Sequence, residues 1–229
     1  MLSRCITTSL LALSSSSSPR LTLRPTCWRL RHCKMTTTSC TITDDEDNKV
    51  FTNPDDATIR TILTQTRTVA MIGASNRPER DSYHVMEYMM KECGYQVIPI
   101  NPMYTGQTIL NQKVYRTLSE VLLQFPNVDM IDIFRKSSEV PEIIKELIQF
   151  QQQQQSLLQE QQPEPSTTPS ALLLVQQHPK YIWMQISVID PISARWAQQH
   201  GYQVIMNKCP LREIPRLQIS LPIVDPHHQ

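Results

Sequence analysis

From residue 57 onward the apolar positions change period repeatedly, and each change marks the border of an element. Short, nearly continuous apolar runs at 68–72 (TVAMI), 95–100 (YQVIPI), 128–134 (VDMIDIF), 181–186 (YIWMQI) and 202–206 (YQVIM) predict five buried strands. Between them the apolar spacing widens to three and four. Val85, Met86, Met89, Met90 and Cys93 form one helical stripe, and Val140, Ile143, Ile144, Leu147 and Ile148 form another. The punctuation agrees with this reading. Asp190-Pro191 is an N-cap followed by proline at the first helical position. Gly94 and Gly201 stand where helices end before a strand, and each opens the pentapeptide GYQVI. The methionines at 86, 89 and 90 read as core filling, not as a ligand cluster.

Strands alternating with helices predict an α/β fold: a Rossmann-like doubly wound parallel sheet of about five strands, helices on both faces. The expected strand order is 3-2-1-4-5. It places the topological switch between the first and fourth strands, flanked by the loops at 73–82 and 186–190. Residues 150–170 (FQQQQQSLLQEQQPEPSTTPS) break the rhythm with a low-complexity stretch, expected to be a disordered surface insertion. The domain is thus expected over 57–217, with a tail at 218–229.

Composition separates this body from what precedes it. A chain of 229 residues holds one such domain and its tails. Residues 1–43 carry six basic side chains and no acidic one, so 16 of the 22 basic residues remain to face all 21 acidic ones. A mildly acidic body argues against nucleic acid as a partner, and no apolar run is long enough to span a membrane. The leader at 1–43 is Ser/Thr-rich, Arg-bearing and acid-free, the composition of a mitochondrial transit peptide. Cytoplasmic residence follows instead if translation starts at Met35. A secretory signal is weakened by the sparse, odd set Cys40, Cys93 and Cys209 beyond that methionine. Residues 44–56 read as a solvated acidic linker.

The candidate chemistry sits after the first strand. The stretch MIGASNRPERDSYHV (71–85) starts like a dinucleotide-binding turn but holds one glycine, Gly73, and two arginines, Arg77 and Arg80. Backbone amides at the start of the following helix, with its dipole, make an anion site, and the arginines can add charge-assisted hydrogen bonds to phosphate. A solvated Arg-rich turn is the alternative. A nicotinamide-binding fold would carry an acidic residue at the end of the second strand for the ribose hydroxyls. Here that strand ends in Asn101-Pro102, so ordinary NAD binding is disfavoured twice.

Five ordered segments resemble a known family. VAMIGASNRPERDSYHVMEYM (69–89), GYQVIPINP (94–102), VDMIDIFRKSSEVPEII (128–144), YIWMQISVID (181–190) and GYQVIMNKCP (201–210) are similar to the small CoA-binding-domain proteins. These are related to the N-terminal domain of the succinyl-CoA synthetase α subunit. The resemblance implies coenzyme A, free or as acyl-CoA, as the ligand, and no established catalytic step. It implies a site made of Gly73, Ala74, Ser75, Arg77, Arg80 and Ser82 at the first loop, and Asn101 and Pro102 at the second. Arg135 and Lys136 follow the third strand, and Cys209 the fifth. Arg135 has the alternative of an exposed residue closing a strand.

Catalysis is left open. The histidines beyond the leader form no metal or triad spacing. His84 reads as part of the loop's packing. Two classes remain: a non-catalytic CoA or acyl-CoA binding module, or a small redox or acyl-CoA-dependent enzyme (or a subunit of one) using Cys209. A second copy of the chain is admitted as a partner, as a homodimer.

Overall fold

The computed structural model describes residues 50–160 and 179–221. In chain order the elements are α1 (Asp56–Gln65), β1 (Thr68–Ile72), α2 (Asp81–Lys91), β2 (Gln96–Ile100), β3 (Thr108–Ile109) and β4 (Gln112–Lys113). They continue with α3 (Leu118–Gln124), β5 (Met130–Ile133), α4 (Val140–Glu160), β6 (Tyr181–Met184), α5 (Pro191–Gln199), β7 (Gln203–Ile205) and α6 (Pro210–Arg216).

β1, β2, β5, β6 and β7 form one parallel sheet in the order β2-β1-β5-β6-β7. These are the five strands read from the apolar runs: β1 keeps its expected bounds and the other four are shorter. Both faces are covered, so the strands are apolar throughout instead of alternating. Ala70, Ile72, Ile98, Ile131, Ile133 and Ile182 face one core, closed by residues of α3, α4 and α5. Val69, Met71, Val97, Met130 and Trp183 face the other, closed by residues of α1, α2 and α6. Met86, Met89 and Cys93 are buried in that second core, as the helical stripe predicts.

The expected strand order is corrected. In the numbering of the five predicted strands the order is 2-1-3-4-5, and the switch lies between β1 and β5, the first and third, not the first and fourth. The third expected strand, β5, pairs with β1 and not with β2. The segment after β2 turns back through Leu110 and Asn111, both at positive φ, as the small antiparallel hairpin β3–β4. It then touches the sheet edge at a single parallel bridge, Ile100 to Tyr115. The loops facing each other across the switch are therefore those after β1 and β5.

Two further expectations change. α4 runs on to Glu160, so the glutamine run at 151–155 is helical and not disordered. Glutamine is a good helix former, Phe150 is buried just before the run, and Tyr202 Oη donates to Gln151 Oε1 at 3.0 Å. The rest of the stretch, 161–170, lies outside the described residues, as do the leader 1–43 and most of the tail. The acidic lead-in is held at its C-terminal end. Asn53 Nδ2 donates to the Met206 carbonyl at 2.9 Å, and Asn53 Oδ1 accepts from Met206 N at 2.7 Å. Asp55 caps α1 by accepting from Thr58 N at 2.8 Å. The two ends of the described chain are then clamped: Arg216 donates to both Asp56 carboxylate oxygens, at 2.8 and 2.6 Å, and to the buried Glu213. Among the described residues no helix is long and apolar enough to cross a membrane.

Candidate functional site

The C-terminal ends of β1, β2, β5 and β6 meet at a set of adjoining depressions, and the sequence-predicted residues gather there. Gly73 takes φ +87°, and its N–H donates to the Ile100 carbonyl at 2.9 Å, which turns the chain out of β1. Ala74 is buried, and its carbonyl accepts from Asn101 Nδ2 at 2.7 Å. Asn101 Oδ1 accepts from Met103 N at 3.0 Å, capping a short turn that begins at Pro102. Asn101 thus spends both ends of its side chain tying the first loop to the second, a positioning role. Ser75 Oγ accepts from Arg77 N at 3.2 Å and shapes the same loop.

Arg80 is the N-cap of α2, with no side-chain hydrogen bond in the capping role. A depression of about 440 Å³ opens there, lined by Gly73, Ser75, Arg77, Arg80, Ser82 and Asn101 among others. Ser82 is buried; Arg77 and Arg80 are exposed. Among the described residues neither of these guanidiniums has a hydrogen bond or an ion pair. They stand as free cations beside the first turn of a helix.

Arg135 differs. Its Nε donates to Glu139 Oε2 at 2.7 Å and its terminal amine closes on the same oxygen, so its charge is already engaged. It lies at the centre of the site, on the border of three recesses. Lys136 is exposed and lines the largest of them, a cavity of about 730 Å³. Arg80, His84, Phe134, Gln185 and Cys209 share that cavity's wall. Cys209 is buried at the N-cap of α6, and burial pushes its thiol up, with the charge of nearby Asp132 adding to the effect. The structure therefore brings together every residue expected at the site. Three of them, Ala74, Ser75 and Asn101, are engaged in building the loops.

Sequence reading missed two features. One is a buried pair: Gln185, just past β6, lines the cavity, and Asp132, in β5, lies behind it, with Gln185 Nε2 donating to both Asp132 oxygens at 2.9 and 3.1 Å. Burial pushes the Asp132 carboxyl up to about 7, against the pull of the Gln185 hydrogen bond. An aspartate inside an apolar strand was the available signal. The other is a recess of about 470 Å³ on the far side of Gly73, walled by Ile72, Ile100, Pro102, Leu118 and Ile143. Its wall comes from separate elements, with no contiguous motif to betray it. Among the described residues no group of three or more His, Cys, Asp or Glu could hold a metal ion.

Known proteins place this arrangement. Residues 67–164 match the CoA binding domain family. An uncharacterized protein of Bacillus subtilis (strain 168), YneT, is 34% identical over 97 residues, which span 42% of this chain and 67% of that protein. Among solved structures, Prb, a protein redesigned for binding, is 26% identical with a TM-score of 0.56, covering 77% of this chain and 98% of that one. A hypothetical protein from Pyrococcus horikoshii OT3 is 27% identical with a TM-score of 0.54, covering 75% of this chain and all of its own (100%). With the fold, the matched segment and the bacterial relative in agreement, the chain belongs to the CoA-binding-domain family.

Proposed function

We propose that the protein binds coenzyme A, free or as an acyl-CoA, across the ends of β1, β2, β5 and β6, without a catalytic step of its own. The observation that carries this reading is the pair of unpaired arginines, Arg77 and Arg80, beside the start of α2, in a depression that adjoins a larger cavity. Coenzyme A has a pyrophosphate and a separate ribose phosphate, then a long arm that carries no charge. The polar depression suits the phosphates: Gly73 and Ser75 line it, Ser82 supplies a hydroxyl, and the arginines supply charge. Arg135 joins them if phosphate displaces Glu139, and Lys136 adds charge at the rim of the larger cavity. The apolar recess walled by Ile72, Ile100 and Leu118 offers a surface for a flat base, with Pro102 at its edge.

The enzyme alternative rests on Cys209. Its thiol is buried and held in its neutral form, whereas a nucleophilic cysteine needs a lowered pKa. That weighs toward a carrier or sensor of CoA. Mitochondrial residence, from the composition of residues 1–43, and a homodimer belong to the same reading.

Thermal unfolding with CoA and with NAD tests the ligand. CoA at 100 times its dissociation constant should stabilise the fold by about 2.7 kcal/mol, and NAD should leave it unchanged. Stabilisation by NAD and none by CoA overturns the proposal. Native mass spectrometry of the same samples reports ligand mass and oligomeric state together.

A further inference from the structure

The larger cavity is lined by one member of a polar pair that phosphate binding leaves unused: Gln185 faces it, and Asp132 lies buried behind. Asp132 is 0% exposed and Gln185 3%. A carboxamide has two unlike ends: its NH2 donates and its oxygen accepts. Against the ionised Asp132, which can only accept, Gln185 Nε2 is the donor, reaching the two oxygens at 2.9 and 3.1 Å, and Oε1 points away from the acid. Oε1 takes no hydrogen bond among the described residues, yet none of their buried side-chain polar atoms lacks a partner. Oε1 is therefore accessible, on a side chain that lines the cavity. It is an acceptor fixed in direction and left open.

The site has two ends. The smaller depression and the cavity share Arg80, Asp81, Phe134 and Arg135 as a common border. Arg77 and Arg80 favour an anion on one side of that border. On the other, Lys136 and Arg212 are exposed at the rim, while the floor at Gln185 is flanked by Val85, Val188 and Leu211 with a buried acid behind it, and an anion seated that deep would be poorly solvated. A ligand that fills both ends is anionic at the first. Where it lies on the Gln185 floor it is neutral, with N–H groups to give.

We propose that Gln185 Oε1 accepts a hydrogen bond from an amide N–H of the ligand's pantetheine arm, with Asp132 as the positioning residue that holds this acceptor toward the cavity. The inference rests on the CoA reading above and adds which end of the ligand lies where, and what selects its arm. Cys209 lines the same cavity, so an arm seated on Gln185 also covers the Cys209 thiol.

Calorimetric titration of the full chain with two probes tests it: CoA, and adenosine 3′,5′-bisphosphate, which has a nucleotide's phosphates but no arm. Gln185→Leu should weaken CoA roughly tenfold while leaving the bisphosphate within about twofold. Asp132→Asn should lower the preference for CoA by less, because an asparagine can present either a donor or an acceptor to Gln185. Unchanged CoA affinity in Gln185→Leu, or an equal loss for both probes, overturns the assignment. If the parent protein binds neither probe, the CoA reading fails; if it binds both equally, only the arm assignment fails. Should Gln185→Leu not melt cooperatively, the parent protein decides by alkylation of Cys209 with iodoacetamide. Acetyl-CoA, whose own thiol is capped as a thioester and does not consume the reagent, should slow that reaction and the bisphosphate should not; equal protection by both, or by neither, overturns the placement.

Discussion

Gly73 and Phe134 meet backbone to backbone across the switch point of the sheet. A Cβ built on Gly73 lies 2.3 Å from the Phe134 carbonyl oxygen and 2.9 Å from Arg135 Cδ. The carbonyl cannot swing aside as a side chain would, and at φ +87° a side chain is strained in any case. The single glycine of the loop is thus set by the close approach of the β1 and β5 ends. That approach creates the border along which the recesses of the site adjoin.

Gly73→Ala should therefore destabilise the fold by roughly 1–3 kcal/mol from the backbone strain alone, with more from the contact, and should weaken CoA binding. Gly106→Ala is the control. It also has positive φ, at +80°, but an added Cβ meets nothing within 4 Å. Denaturant midpoints for the two variants should separate clearly; equal losses would mean that the Phe134 contact relaxes freely.

Replacing Arg77 and Arg80 together by alanine should leave stability nearly unchanged, because both are exposed and neither has a protein partner among the described residues. CoA binding should fall, at roughly 1.5–3 kcal/mol for each charged hydrogen bond lost. Arg135→Ala should cost less, since that guanidinium must first leave Glu139. Glu139→Gln should then raise affinity modestly by freeing it. Normal binding by the double variant would make both arginines surface charge.

The sequence made the five strands legible because both faces of the sheet are covered, which turns each strand into an unbroken apolar run. The first loop was legible for a similar reason: a glycine and two arginines are unusual side by side after a strand. The strand order was not. It depends on whether the run at 128–134 lies beside β1 or beyond β2, and an apolar run reads the same in either place. The helical glutamine run was hidden because composition alone cannot see Phe150 and Tyr202 anchoring the helix where the run begins. The Asp132–Gln185 pair spans 53 positions of sequence, and only the pairing of β5 with β6 brings it together.

The two cysteines of the described domain should react very differently. Burial pushes Cys93 up to about 12, with a Tyr88 hydrogen bond only partly offsetting it. Cys209 is also raised by burial, but it lines the large cavity and backbone hydrogen bonds from Leu211 and Arg212 oppose the shift. Alkylation should be slow at Cys209 at pH 7 and faster at pH 9, while Cys93 stays unmodified at both. Oxidised CoA should likewise form a mixed disulfide at Cys209 and not at Cys93, and an adduct that persists in Cys209→Ser would exclude Cys209 as its site. Peptide mapping after timed quenching reads both reactions. Fast modification of Cys209 at pH 7 would contradict a buried, neutral thiol and reopen the nucleophile reading.

Asp132 should make stability depend on pH in the direction opposite to a salt-bridged carboxylate. A solvated aspartate titrates near 3.8, and burial moves this one up to about 7. Between those values the folded chain holds a proton that the unfolded chain has released. Stability from this group therefore falls as pH rises from about 4 to about 7, and is level above that. Asp132→Asn removes the titration and keeps a neutral side chain that can still accept from Gln185. The variant and the parent should be alike only below about pH 4, where the aspartate holds its proton in both the folded and the unfolded chain, and the gap should widen from pH 5 upward. At pH 8 the variant should be the more stable by roughly 1–3 kcal/mol, the cost of an ionised group buried with a single hydrogen-bonding side chain. Cys209 does not blur the comparison at its lower end, because burial keeps its thiol neutral there, and the remaining titrating groups are common to both proteins. Denaturant midpoints at pH 5, 6.5 and 8 measure the difference. A gap between the two proteins that is constant across that range would show that Asp132 is ionised throughout, and that its carboxylate is better stabilised than Gln185 alone can explain.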